Sequence, residues 1–375
     1  MGARFGDQTV RARSGLASRY RADMNPLLAT ALPGRASRTV SSSLCMLLFL
    51  SLTTCGSDGS AGTPDLQPHD AGVPPIEGAP GTAQLVDSTA ELSPTAEHLQ
   101  LTLVDVGQGD GMVLTLPDGT AAAIDGGPDR FAAYRDYIST AVKGGLRLEA
   151  VLLSHGHSDH YTGLTTAIDW LPKDCGARVF DPGYDRPDIP GYQSFKAAAG
   201  CRYRTFGKGM SLSLFPSVRI EILSVTDTPF PMQDSSGINN TSAITYVRFG
   251  RFALLLMGDA ETQAERLLWD EKKDSLRANV LKLGHHGSCN ATATSLLAAV
   301  SPDYALIGVG RPNDFGHPHC QTLNKLKARG MHWLRSDSNG TITVETDGEK
   351  YAVRFATGSP DDTRCPRDCS GAPDF

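Results

Sequence analysis

Ser154-His155-Gly156-His157-Ser158-Asp159-His160 follows directly on the apolar run Ala150-Val151-Leu152-Leu153. Three imidazoles and a carboxylate fall within six positions, in a chain with 10 histidines among 375 residues. On extended backbone, residues two apart point the same way, so His155 and His157 can share one target. Asp159 and His160 then begin a helix, and the change of direction aims them at a second point nearby. Neutral imidazole is the commonest nitrogen ligand of zinc and similar divalent ions, so this spacing predicts metal binding. The bland reading makes Asp159 a helix cap in a polar loop and leaves the crowding of histidine unexplained.

Two further segments carry the same chemistry. The apolar run 252–257 ends in Gly258-Asp259-Ala260-Glu261, and a carboxylate there has two oxygens to offer two cations. Alone, Gly-Asp before a helix reads more often as a turn followed by a helix cap. The run Val280-Leu281-Lys282-Leu283 ends in Gly284-His285-His286-Gly287-Ser288. Three strands delivering such groups at their C-terminal ends can converge on one sheet edge.

Period-two and buried-run patterns predict strands over 99–106, 112–116, 120–124, 150–154, 218–223, 243–249, 252–257, 280–283, 304–309, 341–345 and 351–355. Helical spacing of apolar residues predicts helices over 130–142, 162–171, 261–270, 293–299 and 321–329. Strands come in groups of two or three with helices between groups, which predicts an α/β fold of two face-to-face sheets with helices outside. No repeat of fixed period is present, which excludes a solenoid or propeller.

The ends differ from this body. Residues 1–54 hold seven Arg, no Lys and two Asp, while the remainder carries a net charge of −11 within the chain total of −6. An acidic body excludes a strongly basic nucleic-acid coat. The apolar stretch 44–52 is too short to span a bilayer, which needs about 20 residues, so a multi-span membrane protein is excluded too. Arg35 and Arg38 before it and Cys55 after it read as an export signal, with Met24 an alternative start. The arrangement resembles a bacterial lipoprotein signal, which implies lipidation of Cys55 and a tether to the cell envelope; a plain secretory signal is the alternative. Residues 55–96 are expected to form a disordered Gly/Pro-rich tether, 97–356 an ordered body and 357–375 a polar tail. The remaining cysteines are 175, 201, 289, 320, 365 and 369, and Cys175–Cys201 is the preferred disulfide because both flank one irregular region.

Taken together, these segments resemble the metallo-β-lactamase superfamily, whose His-x-His-x-Asp-His motif is followed by a bridging Asp and a final His. Within it they are most similar to the soluble C-terminal domain of the DNA-uptake channel proteins of competent bacteria, the ComEC/Rec2 group. The resemblance rests on Val104-Asp105-Val106-Gly107-Gln108-Gly109-Asp110, Ile124-Asp125-Gly126-Gly127, Ile238-Asn239-Asn240-Thr241-Ser242, Asp259, His285-His286-Gly287-Ser288 and Asn313-Asp314-Phe315-Gly316-His317-Pro318. It implies a four-layer αββα sandwich holding one or two divalent ions, zinc or manganese. His155 and His157 would hold the first ion; Asp159, His160 and His285 the second; Asp259 would bridge. His286 and His317 would face substrate, with Asp159 also in a catalytic role. Asp125 would brace the histidine loop, unless it is a simple turn residue. His317 reads equally as a surface-loop histidine. Ser288 and Asn290 would bond substrate oxygens or cap the next helix. Many members carry another His for the first ion, but no His occurs from Tyr161 to Gly284, and Asn240 or a neighbour is the substitute.

The implied reaction is hydrolysis by metal-activated water. The substrate expected from the resemblance is a phosphodiester, DNA among them, cut by an exported enzyme. The alternatives are a lactonase or β-lactamase on the same fold, or a metal-binding protein without turnover.

Overall fold

Strands buried on both faces decide the architecture. The computed structural model describes residues 84–85, 92–93, 96–128, 132–183, 186–223, 230, 234–369 and 374. All fall within the unit Ala61–Phe375. The signal region, Cys55 and most of the tether lie outside the described residues.

One sheet is built from β1 (Gln84–Leu85), β2 (Leu99–Leu103), β3 (Gly111–Thr115), β4 (Thr120–Gly126), β5 (Arg147–Leu152), β6 (Val179–Asp181) and β7 (Tyr203–Thr205), completed by the last two strands of the chain. The other contains β8 (Ser211–Phe215), β9 (Val218–Ile222), β10 (Thr245–Phe249), β11 (Phe252–Leu256), β12 (Val280–Lys282), β13 (Tyr304–Ile307) and β14 (His332–Arg335). The chain then returns through β15 (Ile342–Thr346) and β16 (Lys350–Phe355) to the first sheet. The strand orders are β1-β16-β15-β2-β3-β4-β5-β6-β7 and β14-β13-β12-β11-β10-β9-β8. In each sheet an antiparallel half gives way to parallel strands, β4 to β7 and β11 to β14.

Side-chain alternation then stacks the layers. Leu101, Leu114, Ile124 and Leu152 from one sheet meet Ile220, Val247, Leu254 and Leu256 from the other in a shared core. The opposite face of the first sheet, through Val113, Ala123 and Val151, packs on α1 (Ala133–Lys143), α3 (Leu164–Trp170) and α4 (Pro190–Ala199). A short α2 (Ser158–Tyr161) precedes α3 and carries Asp159 and His160 of the motif. The outer face of the second sheet, through Leu255, Leu281 and Ile307, packs on α6 (Thr262–Lys272), α7 (Thr294–Val300) and α8 (Cys320–Ala328). The short α5 (Ser235–Asn239) and α9 (Ser336–Asn339) complete the helices used here. The result is the αββα sandwich expected from sequence.

Three local expectations change. The Cys175–Cys201 bond forms, yet the segment it closes is not irregular, since it holds β6 and α4. Residues of the tether add β1, parallel to β16. The polar tail is pinned by Cys320–Cys365 and Cys289–Cys369.

Between α6 and α7 lies a buried carboxyl with no part in the chemistry below. Glu265 accepts hydrogen bonds from Thr292 N at 2.6 Å and Ala293 N at 2.8 Å. Burial pushes its pKa up from 4.5 to about 7, more than these two amides and the Lys325 ammonium pull it down. Over that window the folded chain keeps a proton that the unfolded chain releases. Stability therefore falls as pH rises from about 4.5 to 7, by ~3 kcal/mol at most for a shift of this size, and then levels off. Glu265→Gln is expected to flatten that part of a urea-unfolding pH profile; an unchanged slope would show that another group titrates there.

Candidate metal centre

The loop after β5, the turn after β11 and the turn after β12 meet at one edge of the sandwich. The turn after β11 passes very close to the histidine loop. A Cβ on Gly258, which has φ +54°, would lie 2.8 Å from the Ser154 Cβ, so only glycine lets Asp259 approach. Ser242 Oγ accepts from Asp259 N at 3.0 Å and fixes the turn.

Asp125, at the end of β4, orients the histidines. Its Oδ1 accepts from Ser154 N and its Oδ2 from Ser154 Oγ, both at 2.7 Å. Its Oδ2 also accepts from His160 Nδ1 at 2.8 Å. His155 Nδ1 lies 3.1 Å from Ser154 Oγ, whose proton is committed to Asp125, so the imidazole is the donor. Both rings therefore turn a bare Nε2 toward the cavity. His286 does likewise, because its Nδ1 sits 2.7 Å from the Gly308 carbonyl, which can only accept. These are the outer contacts that fix tautomer and ring direction in metal-binding histidines.

His160 Nε2 and His286 Nε2 lie 3.3 Å apart. Asp259 Oδ1 is 3.3 Å from His160 Nε2, and Asp259 Oδ2 is 3.3 Å from His286 Nε2. Asp159 Oδ2 is 3.4 Å from His286 Nε2. Beside this group, His155 Nε2 is 3.0 Å from His157 Nδ1 and 3.8 Å from Asp259 Oδ2. Lone pairs and carboxylates facing one another at such distances repel unless a cation lies among them. Asp259 Oδ1 is moreover buried without a hydrogen bond. Among the described residues, two groups of side chains could hold divalent ions, His155/His157/Asp259 and Asp110/His160/Asp259/His286, with Asp259 common to both. Asp159, 3.4 Å from His286 Nε2, would add a carboxylate to the second.

The carboxylates give the site a negative field that favours positive charge, on a proton or on a metal ion. Burial works to lower the pKa of His160 and His286, but Asp259 with Asp125, and Asp259 with Asp110, outweigh it and raise both well above the ordinary value. Burial would raise the pKa of Asp259, yet His286 and His160 hold it well below the usual carboxylate range. His155 and His157 are lowered, chiefly by burial.

Sequence placed His285 as the final ligand and His286 toward substrate; the structure brings the His286 ring, and not that of His285, among the other donor atoms. His285 Nδ1 lies 3.1 Å from Glu261 Oε1 and 3.2 Å from Asn290 Oδ1, at the rim of the site. The cause is backbone: His285, His286 and Gly287 have φ of 46°, 53° and 79°, a left-handed run that turns the second imidazole inward. Asn240 does not reach the first site either. Its Oδ1 accepts from Glu261 N at 3.2 Å and Ala264 N at 3.0 Å, capping α6. Ser288 is buried and serves through its backbone, accepting from Thr322 Oγ1 at 3.1 Å. Asp125, His155, His157, Asp159, His160 and Asp259 all lie together at this edge of the sandwich.

A buried ion pair behind His286 had no assigned role in the sequence reading. Asp110 Oδ2 is 2.5 Å from Lys282 Nζ, and Asp110 Oδ1 is 3.5 Å from His286 Nδ1. Gly308 must be glycine here, because a Cβ would lie 2.2 Å from Asp110 Oδ1. Asp110→Asn would leave the Lys282 ammonium buried without its counter-charge, a loss of about 3–5 kcal/mol. A fall in the urea midpoint, partly restored by adding Lys282→Met, is expected; an unmoved midpoint would contradict the pair's importance.

In front of the metal groups is a cavity of ≈ 220 Å³ lined by Gln108, Ser158, Ser235, Phe315 and His317 among others. His317 is buried, its Nδ1 has no hydrogen-bond partner, and burial beside His286 and His285 holds it neutral. His319 is structural, with Nδ1 accepting from Cys289 N at 3.0 Å.

Over 281 residues the chain is 25% identical to ComE operon protein 3 of Bacillus subtilis, covering 69% of this chain and 34% of that protein. Over 251 residues it is 31% identical to competence protein ComA of Neisseria gonorrhoeae, covering 64% of this chain and 31% of that protein. It thus spans about a third of the length of these curated relatives. The metallo-beta-lactamase fold protein YhfI from Bacillus subtilis is similar at 16% identity and TM-score 0.42, over 64% of this chain and 98% of that one. The profile of the metallo-β-lactamase superfamily matches residues 104–311, more than half of the sequence. With that match over the strands and loops that carry the metal groups, the chain belongs to the metallo-β-lactamase superfamily of metallo-hydrolases.

Proposed function

We propose that this protein is an exported metal-dependent phosphodiesterase that cuts nucleic acid strands. The observation that carries the reading is the meeting of His160 Nε2, His286 Nε2, Asp259 and Asp159 at 3.3–3.4 Å beside an open cavity. Bound divalent ions supply hydroxide at neutral pH and polarise the bond under attack. Zinc suits the nitrogen-rich His155/His157 side, and manganese is admitted by the carboxylates of the other. Asp125, Ser154 and the Gly308 carbonyl keep the imidazoles in the ligating tautomer. The Asp159 carboxylate, 3.4 Å from His286 Nε2 and lining the cavity, would accept a hydrogen bond from the attacking water. The unpartnered Nδ1 of His317 bonds a substrate or leaving-group oxygen. The relative named competence protein ComA supports DNA as the substrate. Three disulfides support an oxidising compartment, and Cys55 is the proposed lipid anchor.

The test offers single-stranded DNA, bis-p-nitrophenyl phosphate and a chromogenic cephalosporin to the purified, metal-loaded protein. Metal-dependent cleavage of the first two is expected. Hydrolysis of cephalosporin alone would overturn the phosphodiester reading, and cleavage of none would favour a binding protein.

A further inference from the structure

Phe315 is 58% exposed, against 39% for Trp170 and 40% for Leu267, the other large exposed apolar side chains among the described residues. Single exposed apolar residues are ordinary, but this one stands at the mouth of the metal cavity. It also lines a second hollow of ≈ 400 Å³ bounded by Gly107, Pro128, Gly310, Arg311 and Pro312. The two cavities share Gln108, Ser158, Asp159 and Phe315, so they form one groove leading away from the metal groups.

The loop holding Phe315 is braced from three sides. Asn313 Oδ1 accepts from Gly316 N at 2.8 Å and His317 N at 2.9 Å, while its Nδ2 donates to the Gly310 and His317 carbonyls. The Phe315 ring lies nearly parallel to His317, with centroids 5.7 Å apart and planes at 23°. The tail comes up beneath it, close enough that a Cβ on Gly316 would lie 2.8 Å from Arg367 Cβ. Cys320–Cys365 and Cys289–Cys369 hold that tail in place. An exposed aromatic ring on a fixed loop loses little entropy when a flat ligand settles on it. Arg311 Nη2 is held by Asp337 Oδ2 at 3.1 Å, while its side chain stays 46% exposed at the groove wall. A stacking face beside a cation is the combination that grips single-stranded nucleic acid without reading its sequence.

We propose that Phe315 is a specificity-determining residue: the base next to the cleaved phosphodiester stacks on its ring, and Arg311 pairs with the following phosphate. This rests on the phosphodiesterase reading above and narrows its substrate to strands that carry bases. The occupant is the nucleoside of a single strand, whose flat base can stack on the ring face.

Binding of a fluorescent phosphorothioate oligothymidylate, which resists cleavage, would be measured by anisotropy with the metal-loaded full chain. The comparison strand has the same length and backbone but abasic sites. Phe315→Ala is expected to weaken oligothymidylate binding roughly tenfold or more, the scale of one lost base stack, and to leave the abasic strand unchanged. Phe315→Trp should retain the preference. Arg311→Gln should weaken both strands alike and reduce the salt dependence. Equal losses of both strands with Phe315→Ala, a wild-type chain that does not prefer bases, or no binding of either strand would overturn the proposal. Base-dependent binding by a protein that never cuts an ordinary strand would instead overturn the phosphodiesterase reading and leave the stacking site standing.

Discussion

Asp259→Ala is expected to reduce kcat/KM by roughly 10³-fold, the upper range for loss of one electrostatic contact at a reacting centre. Among the described residues, this carboxylate is the group common to both donor sets, with Oδ2 3.8 Å from His155 Nε2 and 3.3 Å from His286 Nε2. Its removal should therefore lower bound metal at both positions rather than one. Metal analysis of the purified variant against wild type checks this, with thermal unfolding as the control for folding. Retained activity and metal would mean that the bridge is misassigned.

The second large effect separates two adjacent residues. His286→Ala should cost about 10²-fold or more in turnover and weaken metal binding, because its Nε2 faces His160, Asp159 and Asp259 while Gly308 holds its other nitrogen. His285→Ala should keep the metal, since that ring is paired with Glu261 and Asn290. Its effect should stay within the ~10–100-fold range of outer contacts. Titration calorimetry with zinc on the two variants gives the answer. The reverse order of losses would restore the assignment made from sequence.

The His285/His286 pair shows where sequence reading stops. The 154–160 motif was legible because its ligands are contiguous and follow a buried strand, so extended geometry alone pairs His155 with His157. Both sheets were legible from alternation, with Leu254 and Leu256 on one side and Ala253 and Leu255 on the other. The choice between His285 and His286 depends on three consecutive positive φ values, and Gly-His-His-Gly permits either ring to turn inward. Asn240 looked like a ligand by family position, but its carboxamide is spent on the backbone amides that open α6. The Asp110–Lys282 pair joins residues 172 positions apart, as their numbers show. Its one local sign was a lysine inside Val280-Leu281-Lys282-Leu283, where a charge needs a buried partner. β6 and β7, at three residues each, were too short for any periodicity to appear, whereas α4 did carry a cue in Pro190 at its first turn.

The most direct test is a crystal structure of the protein grown with zinc or manganese, with anomalous maps collected at the metal edge. The account predicts a peak bounded by His160 Nε2, His286 Nε2, Asp159 and Asp259, and a second beside His155 and His157 that shares Asp259. A peak ligated by His285 with His286 turned away, or no peak at this edge of the sandwich, would contradict it.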